Sequence, residues 1–361
     1  MILVSILGDF HSSIVPISYE FKDKITKHIL VHDDAKGDVK EATRIRKGQE
    51  AFLEQHSDIS YELISLPVDE DSFTSLLGCV ERIKQEANEY SDIYLNATDG
   101  LSSIVLVLST QLMAIGAKVL AYDRYANTYN LHTTQGMQKV AIQNSMDIRT
   151  HLMMKGYKIV EYIPKAELES RKEHIMALSA NLSRYKKFAD AIAKSGYDNV
   201  KGFDDFKSHF EAIGIKEQHF IQGTVFEEYI YHLIKDNFEF DDVCTGVKVS
   251  FDEDVTNEFD ILMIKDNHLH TIECKLVSNL NGGHFVYKTE LIKDYLDDDG
   301  KAMILSIGSD NVKFSKSGKK KTQFTIGDHA RARYGEIAIH QSKEFNKEAF
   351  FNDVRECFLS Y

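Results

Sequence analysis

The chain opens on a continuous apolar run, MILVSIL, the pattern of a strand covered on both faces. ITKHILVHDD holds a second strand, and VKEATRIRKGQEAFLEQHS is a polar, helix-favouring stretch. ISYELISLPV predicts another strand. SFTSLLGCVERIKQEANE places Phe73, Leu76, Leu77, Val80 and Ile83 at helical spacing. DIYLNAT reads as a strand, SSIVLVLSTQLMAIG as a nearly all-apolar helix, and AKVLAYD and TYNLHTT close the pattern. Strands alternating with helices predict a parallel, Rossmann-like α/β sheet over residues 1–145. Residues 146–222 read as a helical connector, clearest in AELESRKEHIMALSANLSRYKKFADAIAKSG, with Gly196 as its stop. From 223 to 361 a helix, several strands in series and a further helix predict a second α/β domain.

Within that domain, NEFDILMIKDNHLHTIECKL (257–276) mixes an apolar set with Asp260, Glu273 and Lys275. A two-residue turn at Asp266-Asn267 makes it a hairpin, because such loops favour Asn, Asp and Gly. Partners in that register have numbers summing to 533, so Asp260 faces Glu273 and Glu258 faces Lys275. Phe259, Ile261, Met263, Ile272, Cys274 and Leu276 fall on the other face, available to a core. Opposed carboxylates repel, and a divalent cation between them removes the conflict. Hard oxygen ligands suit Mg2+ or Mn2+. Lys275 is placed to orient a water or to stabilise charge on a phosphate. By spacing alone, a solvated strand face with a cross-strand ion pair fits the same residues.

Composition narrows the class. The 361 residues exceed one ordinary core, and 43% hydrophobic with 27% charged residues describe a soluble globular chain. No apolar run is long enough to span a membrane. The N-terminus lacks a basic region and a cleavage site, so it reads as a strand and not as a signal peptide. Cys79, Cys244, Cys274 and Cys357 are far apart in sequence, with no CxxC pair. That suits reduced thiols and a cytoplasmic location. The net charge of −13 means that nucleic acid would need local cations or metal ions to approach.

Upstream of the hairpin, GTVFEEYIYHLI predicts a helix with Val225, Phe226, Tyr229, Ile230, Leu233 and Ile234 on its apolar side. Glu227 lies at the margin of that side, while Glu228 reads as an exposed position. The G-x-x-F-E helix, the Phe259-Asp260 strand, the Glu273-Cys274-Lys275 strand and the following YKTELIKDYLDDDGKAMIL resemble the PD-(D/E)xK nuclease superfamily. That resemblance implies catalytic roles for Glu227, Asp260, Glu273 and Lys275, with Asp260 and Glu273 as metal ligands.

In a parallel sheet, ligands lie beyond the carboxyl ends of the strands. Two small polar loops stand there. One is Gly8, Asp9, Phe10, His11, Ser12 and Ser13; the other is Thr98, Asp99, Gly100, Leu101, Ser102 and Ser103. A helix N-terminus suits phosphate, and Thr98 or Asp99 as an ordinary N-cap accounts for the same residues. Neither G-x-G-x-x-G nor G-x-x-x-x-G-K-[ST] occurs, which disfavours NAD and P-loop chemistry. A Rossmann-like domain ahead of a PD-(D/E)xK domain resembles the CARF-domain effector nucleases of type III CRISPR defence, the Card/Can group. The resemblance implies a homodimer that binds a cyclic oligoadenylate across its two-fold axis, cyclic tetra-adenylate first, and so activates cleavage of RNA or DNA. The second loop lacks the lysine common in that family. Lys36, Lys40, Arg44 and Arg46 could supply charge instead, or form a solvated helix face.

KFSKSGKKKTQF (313–324) is the candidate for backbone contacts to nucleic acid, through Lys319, Lys320 and Lys321. Arg331 and Arg333 form a second candidate. Two other readings remain at this level: a Rossmann-type ligand sensor or transcriptional regulator without cleavage, and a constitutive DNA-repair nuclease.

Overall fold

A computed structural model describes the chain apart from residues 9–12, 88–91, 253–254, 277–280, 298, 309–312, 315–319, 322–323 and 361. It divides into two compact units, Met1–Lys158 and Ile159–Ser360.

The first unit contains β1 (Ile2–Ile6), α1 (Ile14–Glu20), β2 (Lys27–Asp33), α2 (Lys36–Gln55), β3 (Glu62–Val68) and α3 (Phe73–Glu86). It continues with β4 (Ile93–Asn96), α4 (Ser102–Met113), β5 (Lys118–Asp123), β6 (Thr128–Thr133), β7 (Gly136–Ala141) and α5 (Ile148–Met154). The sheet order is β3-β2-β1-β4-β5-β6-β7. The first five strands are parallel, as expected. The last two are antiparallel, because residues 124–127 are too short a link for a parallel crossover. All of β1 is buried. Its one polar side chain, Ser5, bonds His28 Nε2 at 2.9 Å, and His28 Nδ1 bonds Gln49 at 2.7 Å. These pairings satisfy polar groups that would otherwise be costly inside the sheet. On α3 the buried stripe is Leu76, Cys79, Val80 and Ile83, whereas Phe73 at the first turn is exposed.

The second unit contains β8 (Lys158–Glu161), α6 (Lys165–Ser179), α7 (Leu182–Ser195), α8 (Asp204–Ile213), α9 (Val225–Asn237), β9 (Asp242–Asp252), β10 (Val255–Lys265) and β11 (His268–Leu276). After these come α10 (Gly282–Leu296), β12 (Ala302–Ile307), β13 (Lys313–Phe314), β14 (Lys320–Lys321), α11 (Ile326–Tyr334), β15 (Ile337–Ser342) and α12 (Lys347–Val354). The main sheet runs β15-β12-β11-β10-β9-β8. Strands β11, β12 and β15 are parallel, and β9, β10 and β11 are antiparallel. The boundaries expected at 145/146 and 222/223 do not coincide with the division into units. α5 belongs to the first unit, whereas Leu168, Ile175, Tyr185, Phe188 and Phe210 of α6–α8 share one core with α9 and the inner face of the sheet. Their large apolar side chains need that burial, so the helices are part of the second unit. The clearest helical stretch is two helices, not one: Asn181 interrupts it and caps α7 by accepting the amide of Arg184 at 2.9 Å. Gly196, at φ +77°, ends α7 as expected. Among the described residues no helix is long and apolar enough to cross a membrane.

Candidate active site and ligand loops

The hairpin forms in the expected register. Ile261 faces Ile272 and Lys265 faces His268, and Asp266 and Asn267 take φ of +52° and +66°. Those left-handed angles are what a type I′ turn requires. Ile261, Met263, Ile272 and Cys274 enter the core shared with α9. Asp260 and Glu273 therefore come next along the register, at the far end from the turn.

The ladder stops at Ile261 and Ile272. Beyond it, Asp260 Oδ2 accepts the amide of Cys274 at 2.7 Å and lies 3.0 Å from Lys275 Nζ. The same ammonium lies 2.8 Å from Glu273 Oε1, so one cation bridges both acids. The expected pairing of Glu258 with Lys275 does not form. Glu258 faces Lys248 on β9, and Lys275 turns to the stronger field between the two carboxylates. The bland alternative of a solvated face is also set aside, since Asp260 is only 8% exposed.

α9 brings in Glu227. Burial first, and then the charge of Asp260, push its carboxyl well above the usual range. Gly223, one turn earlier, lies against this carboxylate: a Cβ there would stand 3.3 Å from Glu227 Oε1. Burial followed by the charge of Glu273 raises Asp260 to about 6. For Lys275, burial works against the charge, but Asp260 and Glu273 outweigh it and hold the ammonium protonated. Three acids thus converge on one bridging lysine, an excess of negative charge that fits a divalent cation. Asp260 and Glu273 are the residues that could hold such an ion, with Glu227 beside them.

Lys288 on α10 adds a cation that nothing in the sequence distinguishes from its neighbours; it lies 3.7 Å from Glu273 Oε1. Glu228 is not the exposed residue expected. It is fully buried and takes two bonds from Arg171, at 2.7 and 2.5 Å, so α6 is tied to α9 next to Glu227. A separate group, His268, Asp297 and Asp299, has ligand atoms within 4.8 Å of one another at the turn end of the hairpin. There Asp297 accepts the amides of Leu269 and Asp299 at 3.0 and 3.1 Å, which is the work of a loop anchor.

In the first unit, strand order reverses between β1 and β4, the place where a crevice opens in such sheets. The two loops meet there. A Cβ on Gly8 would stand 2.3 Å from the amide nitrogen of Gly100. Gly100 has φ +112°, and a Cβ on it would strike Ile6 Cγ2 at 2.2 Å. Ser13 donates to Asp99 Oδ2 at 2.5 Å. Thr98 Oγ1 bonds Asn96 at 2.7 Å and accepts the amide of Tyr122 at 2.8 Å. Neither Thr98 nor Asp99 is the N-cap of α4. Leu101 holds that position, with no side-chain capping bond, ahead of Ser102 and Ser103 in the first turn. Asp9, His11 and Ser12 lie outside the described residues, as does Lys319; of Lys320 and Lys321 the backbone alone is described, in β14 opposite β13. Arg44 is engaged locally: it pairs with Glu41 and covers the Tyr157 ring at 4.3 Å.

Residues 215–339 match the family model described as "Card1-like, endonuclease domain". No curated protein matches the sequence at a significant level. Among solved structures, Can2 from Sulfobacillus thermosulfidooxidans, in complex with cyclic tetra-adenylate, is 16% identical with a TM-score of 0.70, covering 99% of this chain and 98% of that one. Protein VC1899 from Vibrio cholerae is 17% identical with a TM-score of 0.69, covering 94% of this chain and 93% of that one. At these identities the likeness establishes the fold. The chain thus has the architecture of the CARF-domain effector nucleases, with a Card1-like endonuclease domain over residues 215–339.

Proposed function

We propose that this chain is a divalent-metal-dependent endonuclease of type III CRISPR defence, switched on by a cyclic oligoadenylate, cyclic tetra-adenylate first. The observation that carries the nuclease reading is the bridging of Asp260 and Glu273 by Lys275, beside Glu227, inside the matched endonuclease domain. Asp260 and Glu273 would hold Mn2+ or Mg2+. When bound, such an ion polarises a phosphate and lowers the pKa of a coordinated water. Lys275, kept in its charged form, is suited to stabilise negative charge on the phosphate and not to remove a proton. Catalytic roles go to Glu227, Asp260, Glu273 and Lys275. A sensor without cleavage has no use for three acids crowded around one lysine, two of them, Glu227 and Asp260, held above the usual carboxylate range by burial.

The switch rests on the two glycine loops, Gly8 to Ser13 and Thr98 to Ser103, at the reversal of strand order, and on the Can2 complex with cyclic tetra-adenylate. Such a ring is large for the loops of one chain, and a two-fold dimer would present two copies to it. The four free cysteines suit a cytoplasmic setting. The test is one assay: purified chain, Mn2+ or Mg2+, single- and double-stranded DNA, RNA, and cyclic oligoadenylates of three to six units. Cleavage that requires both the metal and a cyclic ligand is the expected result. Full activity in excess EDTA, or with no dependence on any ring, would overturn the corresponding half.

A further inference from the structure

α10 turns the wrong residues outward for a surface helix. Its buried positions are Gly282, Val286, Thr289, Lys293 and Leu296. Its outer row is Tyr287, Leu291 and Tyr295, which are 55, 49 and 54% exposed. A surface helix ordinarily buries its apolar stripe and exposes its polar one. Four-residue spacing puts the three side chains on one face, about 6 Å apart along the axis. The concentration is local: α10 and the helix packed against it, α11 with Ile326 and Tyr334, carry five of the seven exposed large hydrophobics described in residues 159–360.

The row starts at the rim of the active site. Lys288, next to Tyr287, reaches toward Glu273 at 3.7 Å, and the Phe285 ring lies 5.7 Å from Lys275 Nζ. Both tyrosines are held in place. The Arg331 guanidinium covers Tyr287 at 4.8 Å and is itself fixed by Glu290 at 2.7 Å. Tyr295 leans on Phe251 at 5.8 Å.

We propose that Tyr287, Leu291 and Tyr295 form a stacking platform for unpaired bases of the substrate strand, with Tyr287 and Tyr295 as positioning residues for the phosphate at Asp260 and Glu273. The inference rests on the nuclease reading and deepens it. Aromatic faces and guanidinium planes accept any unstacked base, while nearby cations follow the backbone. A duplex keeps its bases stacked on each other and cannot use such a platform. The competing occupant is a second copy of the chain. Lys288 and Arg331 lie beside the row, and the phosphates that travel with unpaired bases complement them, whereas a second copy would bring the same cations to the contact.

The test compares three ligands: a single-stranded oligonucleotide, an abasic strand of equal length, and a duplex. Binding is followed by fluorescence anisotropy, and cleavage with Mn2+ and cyclic tetra-adenylate. The Tyr287→Ala/Tyr295→Ala variant is expected to raise the Kd for the base-containing strand about tenfold or more. Its KM rises and its kcat changes little. The Tyr287→Phe/Tyr295→Phe variant, which keeps the rings, behaves as the wild type. The abasic strand and the duplex bind both proteins alike. An equal loss on base-containing and abasic strands would overturn the platform, as would an unchanged KM in the alanine variant of an otherwise active protein. A fall in solution mass with unchanged strand affinity would make the row a contact between copies. A wild type that cleaves none of the three removes the nuclease reading, and the platform with it.

Discussion

Asp260 sits under two opposing demands. The fold buries it beside another acid, and the proposed metal-binding role needs it ionised. Its raised pKa, about 6 against the ordinary 3.8, means that the folded chain holds a proton which the unfolded chain releases. Stability without metal therefore falls as pH rises from about 4 to about 6, then levels off. Asp260→Asn is expected to raise the metal-free Tm at pH 7.5 by a few degrees, since a shift of roughly two units corresponds to about 3 kcal/mol. The same variant should lose cleavage, as should Glu273→Ala. Thermal melts and a cleavage assay check both, and a normally active pair of variants would reduce the hairpin to a structural element. Because the ion and the proton compete for the same carboxylates, Mn2+ affinity is expected to weaken below pH 6 by up to about tenfold per unit. Calorimetry at pH 5.5 and 7.5 reads this directly, and equal affinities would place the ion elsewhere.

At the scale of elements, α9 is held against α6 by Arg171 and Glu228. Glu228 is wholly buried, and its carboxyl is raised by that burial even though Arg171 opposes the shift. Arg171→Met leaves a buried charge without its partner, which costs about 3–5 kcal/mol. Urea unfolding should show that loss, and Arg171→Met/Glu228→Gln should recover most of it. An unchanged midpoint in the single variant would mean that the pair contributes nothing. In the first unit, Gly100 is the joint between β1 and the loop after β4. With φ +112° and Ile6 at 2.2 Å from any Cβ, Gly100→Val must displace the loop. It is expected to abolish cyclic tetra-adenylate binding while Mn2+ binding is retained. Binding of both ligands at wild-type affinity would remove this loop from the ligand site.

For the whole molecule, the governing quantity is a net charge of −13. Such a field repels a polyanion, so the proposed binding would depend on local cations: Lys288 beside Glu273, Arg331 over Tyr287, and the lysines of the 313–324 stretch. Alanine at Lys319, Lys320 and Lys321 should weaken substrate binding with little sequence preference and flatten its salt dependence. A salt slope equal to that of the wild type would mean that those lysines are merely solvated. If the ligand bridges a two-fold axis, calorimetry gives one cyclic tetra-adenylate per two chains. A ratio of one per chain would rule out the shared ring.

The hydrophobic periods were enough to mark most strands and helices, because burial of one face or two is written locally in residue order. The hairpin register was also legible: Asp266 and Asn267 suit a left-handed turn, and a side-chain period of two then sets Asp260 against Glu273 without any distant contact. What lay beyond the sequence depends on which element covers which face. Lys275 leaves its cross-strand neighbour because the ladder stops and both acids lie within its reach. Glu228 is buried because an arginine 57 residues away on another helix meets it. The contact of Gly8 with Gly100 and the outward row of tyrosines on α10 are likewise outcomes of packing. An amphipathic pattern shows that a helix has two faces; only tertiary structure decides which of them meets the core.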